Sequence, residues 1–157
     1  MEEIAAALEA SSLGAAMRDS TVLYPLVNIV HLIGLVMVLG GIGLLDLRLL
    51  GLARQLPLAG IYGLLTGIAV AGVAIQMGSG FLLFASDATA LITNDAFLLK
   101  MLLFVTGLLN AALFRLLWRK RIAAWDAAPP FAGRMQSALS LLIWGTIGAL
   151  GRLIAYV

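Results

Sequence analysis

The chain has 157 residues, of which 62% are hydrophobic and 11% are charged, and its mean hydropathy is +1.07. A soluble domain of this size cannot cover its surface with so few charges, so the composition is typical of an integral membrane protein with about four spans of roughly 20 residues each. The absence of cysteine excludes disulfides and thiolate metal sites, and the formal net charge of +2 is too small and dispersed to indicate a nucleic-acid partner.

The N-terminal segment, "MEEIAAALEASSLGAAMRDS", begins with acidic residues. A signal peptide needs a basic region before its apolar core, so no signal peptide is predicted. Ile4, Leu8, Ala15 and Ala16 form one weakly apolar face, which predicts a short surface helix over about residues 3–17. A disordered tail is the alternative interpretation.

Four apolar segments follow and predict a single membrane domain over residues 1–157. The first begins near Thr21 and tolerates Pro25 because this proline falls within about the first turn. The second begins after Pro57, and the segment "DAAPPFAG" separates the last two. We expect an all-α, integral membrane four-helix bundle, with spans at about 22–45, 58–85, 96–117 and 136–156.

The charges of the connections predict the orientation. The N-terminal segment and the connection that contains Asp87 and Asp95 are acidic, whereas the other two connections are basic. The positive-inside rule therefore places the basic connections in the cytoplasm and both termini on the outer, periplasmic side of a bacterial inner membrane. Asp46 and Arg48 are expected to pair at the cytoplasmic end of the first span. The basic residues are Arg48 and Arg54 after the first span, and Arg115, Arg119, Lys120, Arg121 and Arg134 after the third.

Ionisable side chains gather at similar depths in the outer half of these spans. His31, the only histidine, lies roughly 15 Å along the first helix from Thr21. Lys100 lies roughly 9 Å past Asn94 on the third span, and Arg152 lies roughly 8 Å from the C-terminal end of the fourth. Lys100 and Arg152 can each extend to the outer headgroups, but His31 is too deep to do so, and its alternative role is a structural hydrogen bond between helices.

Other polar and small residues share this layer. Asn28 lies on the same helix face as His31, and Gln76 and Met77 lie in the outer half of the second span. Gln76 also fits an interhelical hydrogen bond, and Met77 also fits simple packing. Glycines accompany the polar groups on the second and fourth spans, which permits either close helix packing or the approach of a flat ligand.

This combination of side chains suits haem b. The iron takes a neutral histidine nitrogen as its axial ligand, and the two propionates require cations near the membrane surface. A single histidine excludes bis-histidine ligation within one chain, which leaves five-coordinate iron, a weak sixth ligand or a site shared across a homodimer. A copper(I) site that uses His31 with Met37 or Met77 is an alternative. The candidate cofactor-binding residues are His31, Arg152, Lys100, Asn28, Gln76 and Met77, with His31 as the metal ligand.

Three segments resemble a family of small, uncharacterised bacterial four-helix membrane proteins. They are "HLIGLVMVLGGIGLLDLRLLG" (His31 to Gly51), "NDAFLLKMLLFVTGLLN" (Asn94 to Asn110) and "GRLIAY" (Gly151 to Tyr156). More distantly, the pattern resembles the copper-resistance D family and the HemJ-type protoporphyrinogen oxidases. The positions that match the distant families are His31, Gly40, Gly41, Arg48, Leu49 and Lys100.

HemJ-type proteins bind haem b and oxidise protoporphyrinogen, so the resemblance implies that His31 is an axial iron ligand. Asn110 stands where a second histidine would align, which argues against protoporphyrinogen oxidation in this chain. The resemblance is an analogy at the level of the fold and adds to the argument from the residues without replacing it.

The predicted function is therefore that of a haem b-binding inner-membrane protein with a redox or electron-transfer role, which includes a haem-dependent membrane oxidoreductase. Its expected partners are membrane lipid, a second copy of the chain, and a lipophilic redox partner such as a quinone or a porphyrin. One alternative is a small metal-ion or proton transporter or channel-like protein, in which His31, Gln76, Asp87 and Lys100 line a water-filled path. Another is a non-catalytic membrane subunit whose glycine-rich faces bind partner helices.

Overall fold

A computed structural model describes residues 2–154 and 156 of the chain. The fold is all-α, as predicted, and none of these residues lies in a β-strand. The described elements are α1 (Glu2–Glu9), α2 (Ser12–Asp19), α3 (Leu23–Leu50), α4 (Leu58–Ser86), α5 (Ala88–Leu91), α6 (Asp95–Trp118), a 3-10 helix (Ile122–Trp125) and α7 (Phe131–Leu153).

Three of the helices, α3, α4 and α6, are long and apolar enough to cross a membrane. With 28 residues, α3 is roughly 42 Å long, which exceeds the roughly 30 Å of the hydrocarbon layer. Their outward faces are apolar: Val36 is 69% exposed and Leu116 is 82% exposed. Apolar surface on this scale is unfavourable in water, so these helices have the surface of membrane-embedded segments. The fourth long helix, α7, carries more polar residues and packs against both α3 and α6.

The first long helix continues beyond its predicted end near residue 45 and stops at Gly51. This glycine has φ +114°, a left-handed conformation, and its N–H donates to the carbonyls of Leu47 and Arg48, each at 3.1 Å. Such a glycine cap satisfies carbonyls that the helix itself leaves unpaired. The polar residues Asp46 and Arg48 therefore lie within the helix and do not mark its boundary.

The expected pair between Asp46 and Arg48 is wrong. Residues two apart on a helix do not face each other, and Arg48 instead turns toward the α3–α4 and α6–α7 connections. It is 2% exposed, and its Nη2 lies 3.2 Å from Asp126 Oδ1. Its guanidinium also donates to the carbonyls of Leu56 at 2.8 Å and Arg54 at 3.0 Å. Arg48 thus ties the α3–α4 connection to the α6–α7 connection.

The N-terminal segment forms two short helices, where a single surface helix over about 3–17 was expected. Ser11 causes the break, because its hydroxyl donates to the Leu8 carbonyl and accepts from the Gly14 N–H, which caps α2. The segment is also docked: Met17 is fully buried and Arg18 donates to the Ser86 carbonyl at 3.2 Å. The alternative of a disordered tail does not apply to these residues.

The long helices pack in the order α4, α3, α7, α6. Glycines bring α3 and α4 together: Gly72 lies so close to α3 that an added Cβ would be 2.8 Å from the Gly34 carbonyl oxygen. On the other side of α3, an apolar cluster fills the middle of the molecule between α3, α6 and α7. Its buried members are Val38, Ile143, Trp144 and Ile147.

Candidate functional site

The imidazole of His31 is held by a hydrogen bond between helices. Its Nδ1 lies 2.9 Å from the hydroxyl of Ser79 on α4. The Ser79 hydroxyl already donates its one hydrogen to the Ile75 carbonyl at 2.5 Å, so it accepts from the imidazole. In the tautomer that this contact favours, Nδ1 carries the proton and Nε2 has a lone pair. Among residues 2–154 and 156, no hydrogen bond to Nε2 is formed.

The backbone around His31 is also braced by α4. Gln76 is 8% exposed, and its Nε2 donates to the His31 carbonyl at 2.5 Å. Gly80 lies against the ring, since an added Cβ would be 3.2 Å from His31 Cε1. The sequence places Ser79 three residues after Gln76, so that both side chains share one helix face, but only Gln76 was predicted as a site residue.

The two cations predicted for this layer lie at the same end of the molecule but have different surroundings. The Lys100 ammonium lies within electrostatic range of His31, and no hydrogen bond joins the two side chains among the described residues. Its Nζ packs beside Gly151, 3.5 Å from the position of an added Cβ. The neighbouring Arg152 is exposed; its Nη2 donates to the Tyr156 hydroxyl at 2.5 Å, and its guanidinium lies 5.0 Å from the centre of the Tyr156 ring. Lys100 therefore belongs to the His31 cluster, while Arg152 forms a separate contact one residue beyond Gly151.

The remaining two predicted residues flank this cluster. Asn28 is half-buried and lies three residues before His31, on the same side of α3. Met77 is 58% exposed and follows Gln76 directly, so it projects from a different face of α4. The structure thus brings together His31, Gln76 and Lys100, with Asn28 nearby, and turns Met77 outward.

A second polar region lies in the other half of the molecule and was not predicted as a site. A cavity of about 250 Å³ is bounded by α3, α4, α6 and α7. None of the six candidate cofactor-binding residues lines this cavity. Its polar lining includes Asp46, which is 5% exposed, together with Asn110, Gln136 and Ser140.

The ligand set around His31 bears on the type of metal that it can hold. Within the described part of the chain, no three histidine, aspartate or glutamate side chains converge on one point. A bare transition-metal ion needs several protein ligands, whereas haem brings four nitrogens of its own and needs one axial side chain. The lone-pair nitrogen of His31, with Gly80 beside the ring and Lys100 nearby, fits that simpler requirement.

No family model matches the chain, and searches of the curated proteins and the solved structures found no match. The resemblance to the four-helix membrane families therefore stays a prediction from the sequence.

Proposed function

We propose that this protein is a haem b-binding protein of the bacterial inner membrane, with a redox or electron-transfer role. The observation that carries the proposal is the hydrogen-bond arrangement at His31, in which Nδ1 faces the Ser79 hydroxyl. A histidine whose Nδ1–H is held by an acceptor presents Nε2 in the neutral form that iron requires, with its ring orientation fixed.

The proposal includes α7 as a fourth membrane span and both termini on the outer side. The distribution of charge supports it, because Arg48, Arg54 and Arg119 lie at the ends where α3 meets α4 and α6 meets α7. The packing of α7 against α3 and α6 also supports it, since its polar side chains are partly shielded from lipid by these neighbours. In this arrangement His31 lies in the outer half of the membrane.

Each neighbour of His31 has a distinct role in the proposed site. Ser79 holds the ring orientation, and Gln76 fixes the backbone of α3 at the ligand. Lys100 would neutralise one propionate, and Arg152 would take the second propionate once it leaves Tyr156. Asn28 adds a polar group on the His31 side of α3. Haem bound here would supply one-electron redox chemistry at the outer side of the membrane.

The interior of the molecule favours this role over an open channel. His31 and Asp46 are fifteen residues apart on α3, or roughly 22 Å along the helix axis. The apolar cluster of Val38, Trp144 and Ile147 fills the space between these two levels. A continuous water-filled path would have to pass through this packed cluster, so the structure offers more support for a bound cofactor than for a pore.

The test is a titration of the detergent-purified protein with haemin, followed by the Soret absorption. We expect one haem per chain for the native sequence and loss of specific binding in His31→Ala. Ser79→Ala removes the acceptor that orients the ring, so haemin affinity should fall roughly 10- to 100-fold. The control is Ser86→Ala, because Ser86 lies on the same helix and donates to the Leu83 carbonyl but has no contact with the histidine.

Two results would contradict the proposal. One is a native protein that takes up no haemin while its helical circular dichroism is intact. The other is equal haemin affinity in the native protein and His31→Ala. If Ser79→Ala and Ser86→Ala weaken binding equally, the orienting role of Ser79 would be wrong.

A further inference from the structure

The cavity in the inner half of the molecule has the properties of a ligand site for a lipid-soluble molecule. Its walls are mainly apolar and aromatic, and α4 and α6 each supply a large share of them. Because these two helices do not pack along their length within the described residues, the cavity lies between membrane-facing helices. Sites for small molecules are commonly apolar hollows with a few placed polar groups. The apolar and aromatic lining includes Ile42, Leu45, Tyr62, Val73, Leu108 and Phe114.

One of the polar groups is a buried carboxyl. Asp46 lines the cavity from α3, and its Oδ2 is buried and makes no hydrogen bond within residues 2–154 and 156. The hydroxyls of Ser137 and Ser140 on α7 lie beside this carboxyl, and the Ser137 side chain is fully buried. Arg48, the nearest basic residue on α3, is already bound to Asp126. A carboxyl buried within a membrane helix is costly, and such groups generally mark a functional site.

The opposite wall offers a hydrogen-bond donor. Asn110 of α6 lines the cavity; its carbonyl accepts from Gln136 at 3.2 Å, while its side-chain amide makes no hydrogen bond with the described residues. Gln136, which also lines the cavity, is held in place by Trp118, whose Nε1 donates to its Oε1 at 2.9 Å. Asp46 and Asn110 therefore present an acceptor and a donor to the same space.

We propose that this cavity binds the head group of a membrane quinone. A quinone carbonyl would accept from the Asn110 amide, and the hydroxyl of the corresponding quinol would donate to the Asp46 carboxyl. The apolar walls suit the ring, and the lipid-facing position between α4 and α6 suits a molecule that arrives through the membrane. Asp46 lies four residues before the end of α3, or roughly 6 Å from it, a depth at which a polar head group stays close to the interface.

The size of the cavity favours this occupant over an ion. A volume of about 250 Å³ is many times what one cation requires, and most of the lining supplies no oxygen ligand. A neighbouring hollow of about 410 Å³ shares Tyr62, Thr66, Val70 and Arg115 with the cavity and extends toward Arg119. The proposal extends the redox function given above, since a quinone would be its electron partner in the membrane, but binding itself does not require haem.

The experiment is a titration of the full-length protein in detergent with decyl-ubiquinone, followed by quenching of tryptophan fluorescence. Trp118 reports on the site because it bonds directly to the cavity residue Gln136. We expect saturable quenching, weakened at least tenfold in Asn110→Leu and in the cavity-filling variant Ala111→Phe. The control is Thr106→Val, since Thr106 is exposed on the same helix and donates only to the Leu102 carbonyl.

Three results would overturn the proposal. If decylbenzene binds as tightly as decyl-ubiquinone, the cavity is an apolar groove that does not recognise the quinone head group. If sodium chloride stabilises the native protein more than choline chloride does, and Asp46→Asn abolishes this difference, the cavity is a cation site. Quenching that Ala111→Phe leaves unchanged would place the quinone elsewhere. The same titration on His31→Ala separates this inference from haem binding, because that variant should bind the quinone as well as the native protein does.

Discussion

The contact between α3 and α4 gives the most quantitative prediction, through the substitution Gly72→Ala. A Cβ at Gly72 would lie 2.8 Å from three atoms of α3: the carbonyl oxygen of Gly34, the Cβ of Met37 and the backbone nitrogen of Val38. Two of these are backbone atoms, which cannot move aside by a side-chain rotation. Gly78 on the same helix is the matched control, because an added Cβ there meets nothing within 4 Å.

The expected energies follow from two opposing effects. Replacing glycine by alanine within a helix stabilises it by roughly 0.5–1 kcal/mol, because the unfolded chain loses conformational freedom. Forcing an extra methyl group into a filled contact costs roughly 1–3 kcal/mol. Both effects act at Gly72 and only the first acts at Gly78, so Gly72→Ala should be less stable than Gly78→Ala by about 1–3 kcal/mol.

The assay is equilibrium unfolding of both variants in mixed micelles with increasing dodecyl sulfate, followed by circular dichroism. Gly72→Ala should unfold at a lower denaturant fraction than the native protein, and Gly78→Ala at an equal or higher one. Equal stability of the two variants would refute the close approach of α3 and α4, and with it the geometry that brings Ser79 to His31.

Two further predictions concern contacts outside the His31 cluster. Arg48→Lys keeps the charge, but a lysine cannot reach the carbonyls of the α3–α4 connection and Asp126 together. The loss of hydrogen bonds to a charged group should destabilise the protein by about 2 kcal/mol. If Arg48→Lys is as stable as the exposed control Arg119→Lys, this role of Arg48 is wrong. The Thr89 hydroxyl and N–H donate to Glu9 at 2.6 and 2.9 Å and hold the pKa of its carboxyl below the usual value. The stability that this contact contributes is present above the unfolded-state pKa and is lost as the pH falls through the lower folded-state pKa. Protection factors for hydrogen exchange in residues 2–19, which correct for the slower intrinsic exchange at low pH, should therefore decrease in the native protein as the pH falls below the ordinary glutamate value of 4.5. An equal decrease in Glu9→Gln would show that another group is responsible.

The helices were predictable because their signals are local. A long apolar run sets each membrane-spanning helix, and Pro57 and the proline pair before Phe131 interrupt the chain where helices begin. The observed bounds of α4 and α6 lie within one residue of those predicted, whereas α7 begins at Phe131, five residues before its predicted start at about 136. The end of α3 was misplaced because Asp46 and Arg48 are polar. Their burial depends on Asp126 and on the serines of α7, which are distant in sequence.

The candidate site was predictable only in outline. Depth along the helices placed His31, Gln76 and Lys100 at similar levels, and the structure brings these three together. Composition does not determine which face of a membrane helix turns toward its neighbours, so the outward position of Met77 was not predicted. The hydrogen bond from His31 to Ser79 depends on the close contact of α3 and α4, and no local pattern in the sequence distinguishes it.

The central claim is that Nε2 of His31 binds haem iron, and the most direct measurement is the visible spectrum of the protein as purified from a haem-producing host. The claim predicts a Soret band with close to one haem per chain, and a colourless His31→Ala of unchanged helical content. A native protein that is colourless and takes up no added haemin would contradict it, as would a haem content that His31→Ala leaves unchanged.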